Sequence, residues 1–177
     1  DKISWTVIAS PSEAWAEKVF PNLPKEKQVE ALWDAIFKAT RSDLENPVDA
    51  WTKHNDTLHE KVHYLNAKKY TKLHYTAPGT DLTIELPKGH LWCGAGSVNE
   101  KGEEFMANMP TEEVFTVPHK DGVNGYVSST KPLSYGGNII NNFKITFENG
   151  RITKVEAEQG EEVLKNLVAT DEGSHRL

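Results

Sequence analysis

The sequence predicts an α+β fold, with a helical first part that ends an α/β domain, then a mostly antiparallel β region and a C-terminal helix. Two observations support this prediction. Apolar residues recur at helical spacing up to about residue 70, and from Leu73 onward they alternate with polar residues as in strands. In addition, Asn149-Gly150 separates two apolar runs, and this dipeptide is typical of the tight turn of a β-hairpin.

The first expected elements are a strand and a short helix. Residues 3–9 form a β-rich apolar run, which Ser10 and Pro11 follow. Serine is a common N-cap, proline is favoured in the first helical turn, and Glu13 stands at the spacing of a capping box. We therefore expect Ser10 to cap a helix that covers residues 12–20.

Two longer amphipathic helices are expected next. Residues 24–40 place large apolar side chains at helical spacing, namely Val29, Leu32, Trp33, Ile36 and Phe37. Residues 47–69 carry a second stripe at about 100° per residue, formed by Val48, Trp51, Leu58, Val62 and Leu65. Each helix therefore has one face that must pack against another element.

The period then changes from that of a helix to that of a strand. Pro78-Gly79 marks a turn inside an alternating stretch that contains Leu73, Tyr75, Leu82, Ile84 and Leu86. Further strands are expected at residues 114–117, 125–129, 137–148 and 152–157, and a helix at 160–168. Thr170-Asp171 has the form of a cap for one more helix, which would reach Leu177 without a stop signal. We therefore expect the chain to be cut there.

Composition restricts the classes of function. With 37% hydrophobic and 26% charged residues and a formal net charge of −6, the chain has the composition of a soluble globular protein. No run of 18 apolar residues exists, so no membrane partner is expected. The lysines are scattered, which argues against a nucleic-acid partner. Cys93 is the only cysteine and cannot form an intrachain disulfide, so a cytoplasmic location is expected.

His59-Glu60-Lys61-Val62-His63 matches the zinc motif H-E-x-x-H, in which two histidines bind the ion and the glutamate acts as general base. On the helix expected at 47–69, both histidines lie away from the centre of the apolar stripe, on the side expected to face water. The chain then turns into strands, and no glutamate on a further helix follows as a third ligand. A zincin-type peptidase through His59, Glu60 and His63 is therefore kept as an alternative.

The second candidate is the adjacent pair Glu112-Glu113. It opens an apolar β-type run and lies between Pro110 and Pro118. A carboxylate in a rigid frame at a strand edge is a good ligand for a divalent metal ion. Adjacent side chains of a strand point to opposite faces, so only one of the two can enter a given site. The simpler interpretation is a pair of exposed glutamates at the start of a strand.

Several short segments share the pattern of a known family. They are Leu73-His74-Tyr75, residues 78–82, Gly89-His90-Leu91-Trp92, residues 108–116, residues 125–132, Gly160-Glu161 and Asp171-Glu172-Gly173. In this order they resemble the aminopeptidase T / aminopeptidase S family of dinuclear metallo-aminopeptidases. The resemblance covers most of the chain and is tightest over residues 65–118.

This resemblance implies a division of the chain and a metal ligand. Residues 1–70 would be the C-terminal strand and helices of an α/β domain plus a connecting helix. Residues 71–177 would be the β-rich part of a truncated metal-binding peptidase domain. The first metal ligand maps to Glu113, with Glu112 as the fallback if the register differs by one residue. The remaining ligands would follow Leu177, so no catalytic residue is assigned within this chain, and no other cofactor is expected.

The resemblance also implies what the full-length protein does. It would hydrolyse N-terminal residues from peptides with a free N-terminus, use two divalent ions such as Zn²⁺ or Co²⁺, and form a homodimer. The isolated fragment would be inactive and would bind no metal tightly, because a borderline ion needs three or four protein ligands. The alternative from another class is a non-enzymatic β-rich domain that binds a partner or serves as a scaffold.

Overall fold

A computed structural model describes residues 2–177 and confirms the α+β class. The helices are α1 (Glu13–Val19), α2 (Lys25–Ala39), α3 (Pro47–Lys68) and α4 (Glu161–Val168). The first strands are β1 (Val7–Ile8), β2 (Lys72–Ala77), β3 (Thr80–Glu85), β4 (Cys93–Gly94), β5 (Ser97–Val98) and β6 (Glu104–Phe105). The others are β7 (Asn108–Met109), β8 (Val114–Phe115), β9 (Val123–Ser128), β10 (Leu133–Tyr135), β11 (Asn138–Glu148) and β12 (Arg151–Gln159). None of the helices described has both the length and the apolar character needed to cross a membrane.

The start of α1 differs from the prediction. Its N-cap is Ser12, whose side-chain oxygen accepts a hydrogen bond from the backbone amide of Trp15 at 3.3 Å. The expected cap at Ser10 is wrong, because Ser12 places its oxygen over the amide of the third helical residue. The preceding strand is also shorter than expected, since only Val7 and Ile8 pair with another strand.

The larger sheet has the strand order β10-β11-β9-β3-β2, with β12 paired to β11, and every pairing in it is antiparallel. The predicted hairpin between β11 and β12 is confirmed, because Asn149 and Gly150 form its turn with φ angles of 49° and 78°. Leu82, Val123 and Phe147 are buried together on this sheet and form its core.

The end of the chain forms a turn where a helix was expected. One turn of 3₁₀ helix covers Gly173–His175. The carboxylate of Asp171 accepts hydrogen bonds from the backbone amide and the hydroxyl of Ser174, at 2.8 and 2.9 Å. Arg176 then binds Asp121 at 2.7 Å in extended backbone. The expected helix is wrong, because Asp171 closes a local turn and the chain returns to the sheet.

The chain divides into two compact units that are not two halves of the sequence. One comprises the residues up to Ala67 together with Trp92–Phe115, and the other comprises Lys68–Leu91 together with Thr116–Leu177. Asn66 of α3 binds the segment Trp92–Phe115 at its start, because its side chain pairs with both the amide and the carbonyl of Trp92, at 2.8 and 2.9 Å. The compact units therefore do not coincide with a boundary at residue 70. As an assignment of domains, the division into 1–70 and 71–177 stays a prediction.

Candidate metal site

The segment that contains the two adjacent glutamates is fixed on both sides by strand pairing. Before the pair, β7 lies parallel to β1, and the amide of Val7 donates to the carbonyl of Ala107 at 2.8 Å. After the pair, β8 runs antiparallel to β4, with Val114 opposite Gly94. Only residues 110–113 lie between these two anchored strands, so the backbone around the glutamates has little freedom.

Glu112 is engaged by cationic and aromatic neighbours from the helical part of the chain. Its two carboxylate oxygens accept hydrogen bonds from Nη1 and Nη2 of Arg41, at 2.7 and 3.0 Å. The Nε2 atom of His54 lies 3.3 Å from the second of these oxygens. The hydrogen bond from Arg41 is the main reason why the pKa of Glu112 falls below its ordinary value. Glu112 is therefore an ionised carboxylate with both oxygens already in use.

His54 holds the residue before Glu112. Its Nε2 atom lies 2.7 Å from the carbonyl oxygen of Thr111. A carbonyl only accepts, so Nε2 carries the proton in this contact, and Nδ1 is then free to accept from Nη2 of Arg41 at 3.4 Å. One neutral tautomer of His54 thus satisfies both partners. Trp51 stands edge-on to the His54 ring at a centroid distance of 5.6 Å.

Glu113 is in the opposite situation. Its side chain is exposed, and it has neither a hydrogen bond nor an ion pair with any residue of the range 2–177. The backbone of Glu113 nevertheless packs closely against β4. The approach is so close that a Cβ atom placed on Gly94 would lie only 2.7 Å from the Glu113 carbonyl oxygen. Glu113 thus combines a carboxylate that is unpaired within residues 2–177 with a closely packed backbone, and its neighbour Glu112 is paired with Arg41.

The described residues meet only part of the requirement of a metal centre. No group of three or more His, Cys, Asp or Glu side chains within residues 2–177 is arranged to hold an ion. Protein sites for zinc normally supply three or four ligands. Glu113 fits the role of one such ligand, because it is an anionic oxygen donor without a competing partner. Glu112 does not fit equally well, since a metal would have to displace Arg41.

The H-E-x-x-H motif on α3 places its histidines side by side. The rings of His59 and His63 are nearly parallel, with an interplanar angle of 19° and centroids 6.3 Å apart. His63 is exposed as expected, whereas His59 is half-buried and lines a cavity of about 260 Å³ with Trp51 and Phe105. Among residues 2–177 no third ligand joins them, so the pair lacks the ligand set of a zincin.

Arg41 and His54 were not found from the sequence. Arg41 lies 71 residues before Glu112, and His54 lies 57 residues before Thr111. A single sequence does not show which two residues pair when they lie so far apart in the chain. One local signal was available for His54, which lies three residues after Trp51 and four before Leu58, and therefore on the apolar stripe of α3. A polar residue on such a stripe must find a buried partner.

The sequence as a whole matches a known family. The profile of the family described as Thermophilic metalloprotease (M29) matches residues 1–177. Aminopeptidase AmpS of Bacillus subtilis (strain 168) is 65% identical over 177 residues, which are 100% of this chain and 43% of that protein. Aminopeptidase T of Thermus thermophilus is 48% identical over 174 residues, which are 98% of this chain and 43% of that protein. The chain thus spans less than half the length of these relatives.

The fold agrees with the sequence match. The solved structure titled "Wild-type AmpT from Thermus thermophilus" superposes with a TM-score of 0.89 at 46% sequence identity. The match covers 98% of this chain and 42% of that chain. The resemblance found in the short segments is therefore confirmed over the full 177 residues. By sequence and by fold, the chain belongs to the Thermophilic metalloprotease (M29) family.

Proposed function

We propose that this chain is an internal segment of a metal-dependent aminopeptidase that hydrolyses N-terminal residues from peptides with a two-metal site. Relatives that are 48–65% identical to it are named aminopeptidases, and the chain corresponds to 43% of their length. The single observation that carries the proposal within the structure is the free carboxylate of Glu113. It is the kind of side chain that a metallopeptidase needs, in the segment where the family resemblance expects a ligand.

In this proposal the two adjacent glutamates have different roles. Glu113 is the metal ligand, and Glu112 anchors the backbone through Arg41. Divalent ions, when bound, would supply Lewis-acid chemistry: they would lower the pKa of a bound water molecule and polarise the scissile carbonyl. The chain's own contribution is to hold one anionic oxygen donor in place and to keep the neighbouring carboxylate from competing for the ion. The other ligands would come from parts of the protein that correspond to the rest of the relatives.

The proposal is tested on the full-length protein. We expect Zn²⁺- or Co²⁺-dependent release of p-nitroaniline from amino-acid p-nitroanilides, and no release from the same substrates blocked by N-acetylation. Glu113→Gln removes the anionic ligand and keeps the size of the side chain. It should lower kcat/KM at least about 100-fold and reduce the metal content per protein. Unchanged activity and metal content in Glu113→Gln would rule out this assignment.

The isolated 177-residue chain is proposed to be inactive. Within residues 2–177 Glu113 belongs to no group of three His, Cys, Asp or Glu side chains that could hold an ion. Calorimetric titration with Zn²⁺ and Co²⁺, after circular dichroism has established folding, should detect no binding tighter than about 10 μM. Tight one-to-one binding would favour the alternative site at His59 and His63, whose near-parallel rings are the one observation in its support.

Partners and location belong to the same proposal. We propose peptide substrates with a free N-terminus, a homodimer for the full-length protein and a cytoplasmic location. Failure of the full-length protein to cleave any N-terminal residue, with folding and metal content verified, would leave the alternative of a non-enzymatic β-rich binding or scaffold domain. Gel filtration with light scattering tests the dimer independently of activity.

A further inference from the structure

The backbone of Arg41 is in a conformation that usually selects glycine. It follows the C-terminus of α2 with φ = 58°. The amide of Ser42 donates to the carbonyl of Phe37 at 2.8 Å, and the amide of Arg41 donates to that of Lys38 at 3.2 Å. These two bonds define a Schellman motif, whose left-handed position is normally glycine because a Cβ atom is unfavourable there. A residue with a Cβ atom at this position carries backbone strain, which contacts elsewhere in the fold must offset.

The side chain of Arg41 is held on an aromatic platform. Its guanidinium lies 5.3 Å from the centroid of the Trp51 ring. The Trp51 indole nitrogen donates to the carbonyl of Thr40 at 2.6 Å, which ties the platform to the end of α2. From this position the guanidinium reaches both oxygens of Glu112 and lies 3.4 Å from Nδ1 of His54. Arg41 therefore connects the end of α2, the first turns of α3 and the segment before Glu113.

We infer that Arg41, together with His54, is a positioning residue that fixes Glu112 and Thr111 and thereby presents the neighbouring Glu113 to the metal ions, an inference that rests on the proposed function. The two contacts hold the two residues immediately before Glu113. A ligand whose backbone is already fixed loses less conformational freedom when it binds an ion. Neither Arg41 nor His54 touches the metal in this proposal, so each acts only through the backbone.

The experiment compares two glycine substitutions in the full-length protein. Arg41→Gly removes the guanidinium and at the same time relieves the strain of the left-handed backbone conformation at residue 41. The matched control is Lys69→Gly, because Lys69 follows α3 with φ = 50°, is exposed and makes no ion pair with residues 2–177. Zn²⁺ affinity is measured by competition with a chromophoric chelator, and it is read without substrate. We expect about a 10-fold weaker affinity in Arg41→Gly and less than about a 2-fold change in Lys69→Gly.

Two further variants test the route through Glu112. Arg41→Lys keeps the charge but cannot form the two-point contact, so it should restore part of the affinity. Combining Arg41→Gly with Glu112→Gln should weaken Zn²⁺ binding no more than either single change, because both break the same contact. Fully additive losses would overturn the proposed route. So would a lowered melting temperature in Arg41→Gly with unchanged Zn²⁺ affinity, which indicates a purely structural role.

The outcomes separate this inference from the proposed function. If Glu113→Gln leaves metal content unchanged, the ligand assignment itself fails. If Glu113→Gln loses metal while Arg41→Gly and Arg41→Lys keep the affinity of the unmodified protein, the ligand assignment stands and the positioning role is wrong. Loss of metal in Glu113→Gln, together with a large loss of Zn²⁺ affinity in Arg41→Gly and a smaller loss in Arg41→Lys, supports both the ligand assignment and the positioning role.

Discussion

Arg41 and Glu112 form a two-point ion pair between residues that are 71 positions apart in the sequence. The next residue, Glu113, has no partner within residues 2–177. Two identical side chains in adjacent positions are thus distinguished entirely by what the helical part of the chain offers to one of them. In the proposed function, the bound glutamate anchors the backbone and the free glutamate is the metal ligand.

The stability of variants at Arg41 should depend on the replacing residue. Arg41→Ala loses the ion pair and keeps a Cβ atom in the left-handed position, whereas Arg41→Gly loses the same pair and relieves that strain. A partly exposed ion pair contributes about 0.5–1 kcal/mol, and the left-handed position favours glycine by about 1 kcal/mol. We expect Arg41→Gly to melt at a higher temperature than Arg41→Ala in differential scanning calorimetry. The reverse order would show that the backbone at residue 41 is not strained.

Gly94 should tolerate no side chain, because β4 passes close to the strand that follows Glu113. A Cβ atom at Gly94 would lie 2.7 Å from the carbonyl of Glu113 and 3.0 Å from Cα of Val114. Gly94→Ala should therefore cost about 1–3 kcal/mol through this overlap. Gly102→Ala is the control, because Gly102 also has a positive φ, of 81°, but nothing lies within 4 Å of its Cβ position.

Thermal unfolding of the full-length protein measures both variants. Gly94→Ala should lower the melting temperature more than Gly102→Ala, and it should also weaken Zn²⁺ binding by displacing Glu113. Equal effects of the two substitutions would show that β4 and β8 adjust to the added methyl group.

The stability of α4 should depend on pH through Glu161. Its carboxylate accepts from Lys165 at 2.6 Å and from the amide of Ala157 at 3.0 Å. The hydrogen bond with Lys165 is the main reason why the pKa of Glu161 lies below its ordinary value of 4.5. A depressed folded-state pKa stabilises the fold above the unfolded-state pKa, and this contribution disappears as the pH falls through the folded-state pKa.

Hydrogen exchange of the α4 amides provides the local measurement. At about pH 7, Glu161→Gln should exchange faster than the unmodified protein, and at a pH well below 4.5 the two should converge. Glu162→Gln is the control on the same helical turn, since its carboxylate contacts Lys165 but no backbone amide. A difference that persists undiminished at low pH would mean that the charge of Glu161 is not its source.

His63→Ala should leave the metal content of the full-length protein unchanged. His63 is exposed, and among residues 2–177 no third ligand lies near it and His59. Inductively coupled plasma mass spectrometry of the dialysed protein counts the ions directly. Loss of one ion per chain in His63→Ala, with unchanged metal content in Glu113→Gln, would show that the metal site lies on α3.

Local patterns predicted the parts of this fold that depend on nearby residues. The turn at Asn149-Gly150 and the extent of α3 follow from neighbouring side chains, and both agree with the structure. The cap of α1 was not predicted correctly, because Ser10 with Pro11 and Glu13 matches the capping-box pattern, whereas the observed cap, Ser12, has Trp15 three residues after it. The turn at Gly173–His175 was missed because it depends on two hydrogen bonds that the Asp171 carboxylate accepts from Ser174.

The candidate site was predictable only in part. Glu112 and Glu113 were found by their place in a family segment, but their division of labour depends on Arg41 and His54. Those contacts join residues that are far apart in the sequence, and a pairwise contact of this kind leaves no trace in composition or periodicity. His54 on the apolar stripe of α3 was the only local sign that the helix receives a polar partner.

The compact unit that contains Glu113 is built from two separate stretches of the chain, the residues up to Ala67 and Trp92–Phe115, and this affects the order in which it can fold during synthesis. Its helices are made early, yet β1 pairs with β7, and Arg41 meets Glu112, only after residues 108–112 have left the ribosome. At that moment β2 and β3 have also emerged and can pair as a hairpin, whereas β9, which joins β3 to the rest of the larger sheet, has not yet emerged. The unit that contains Glu113 can therefore form the ion pair between Arg41 and Glu112 before the larger sheet is complete.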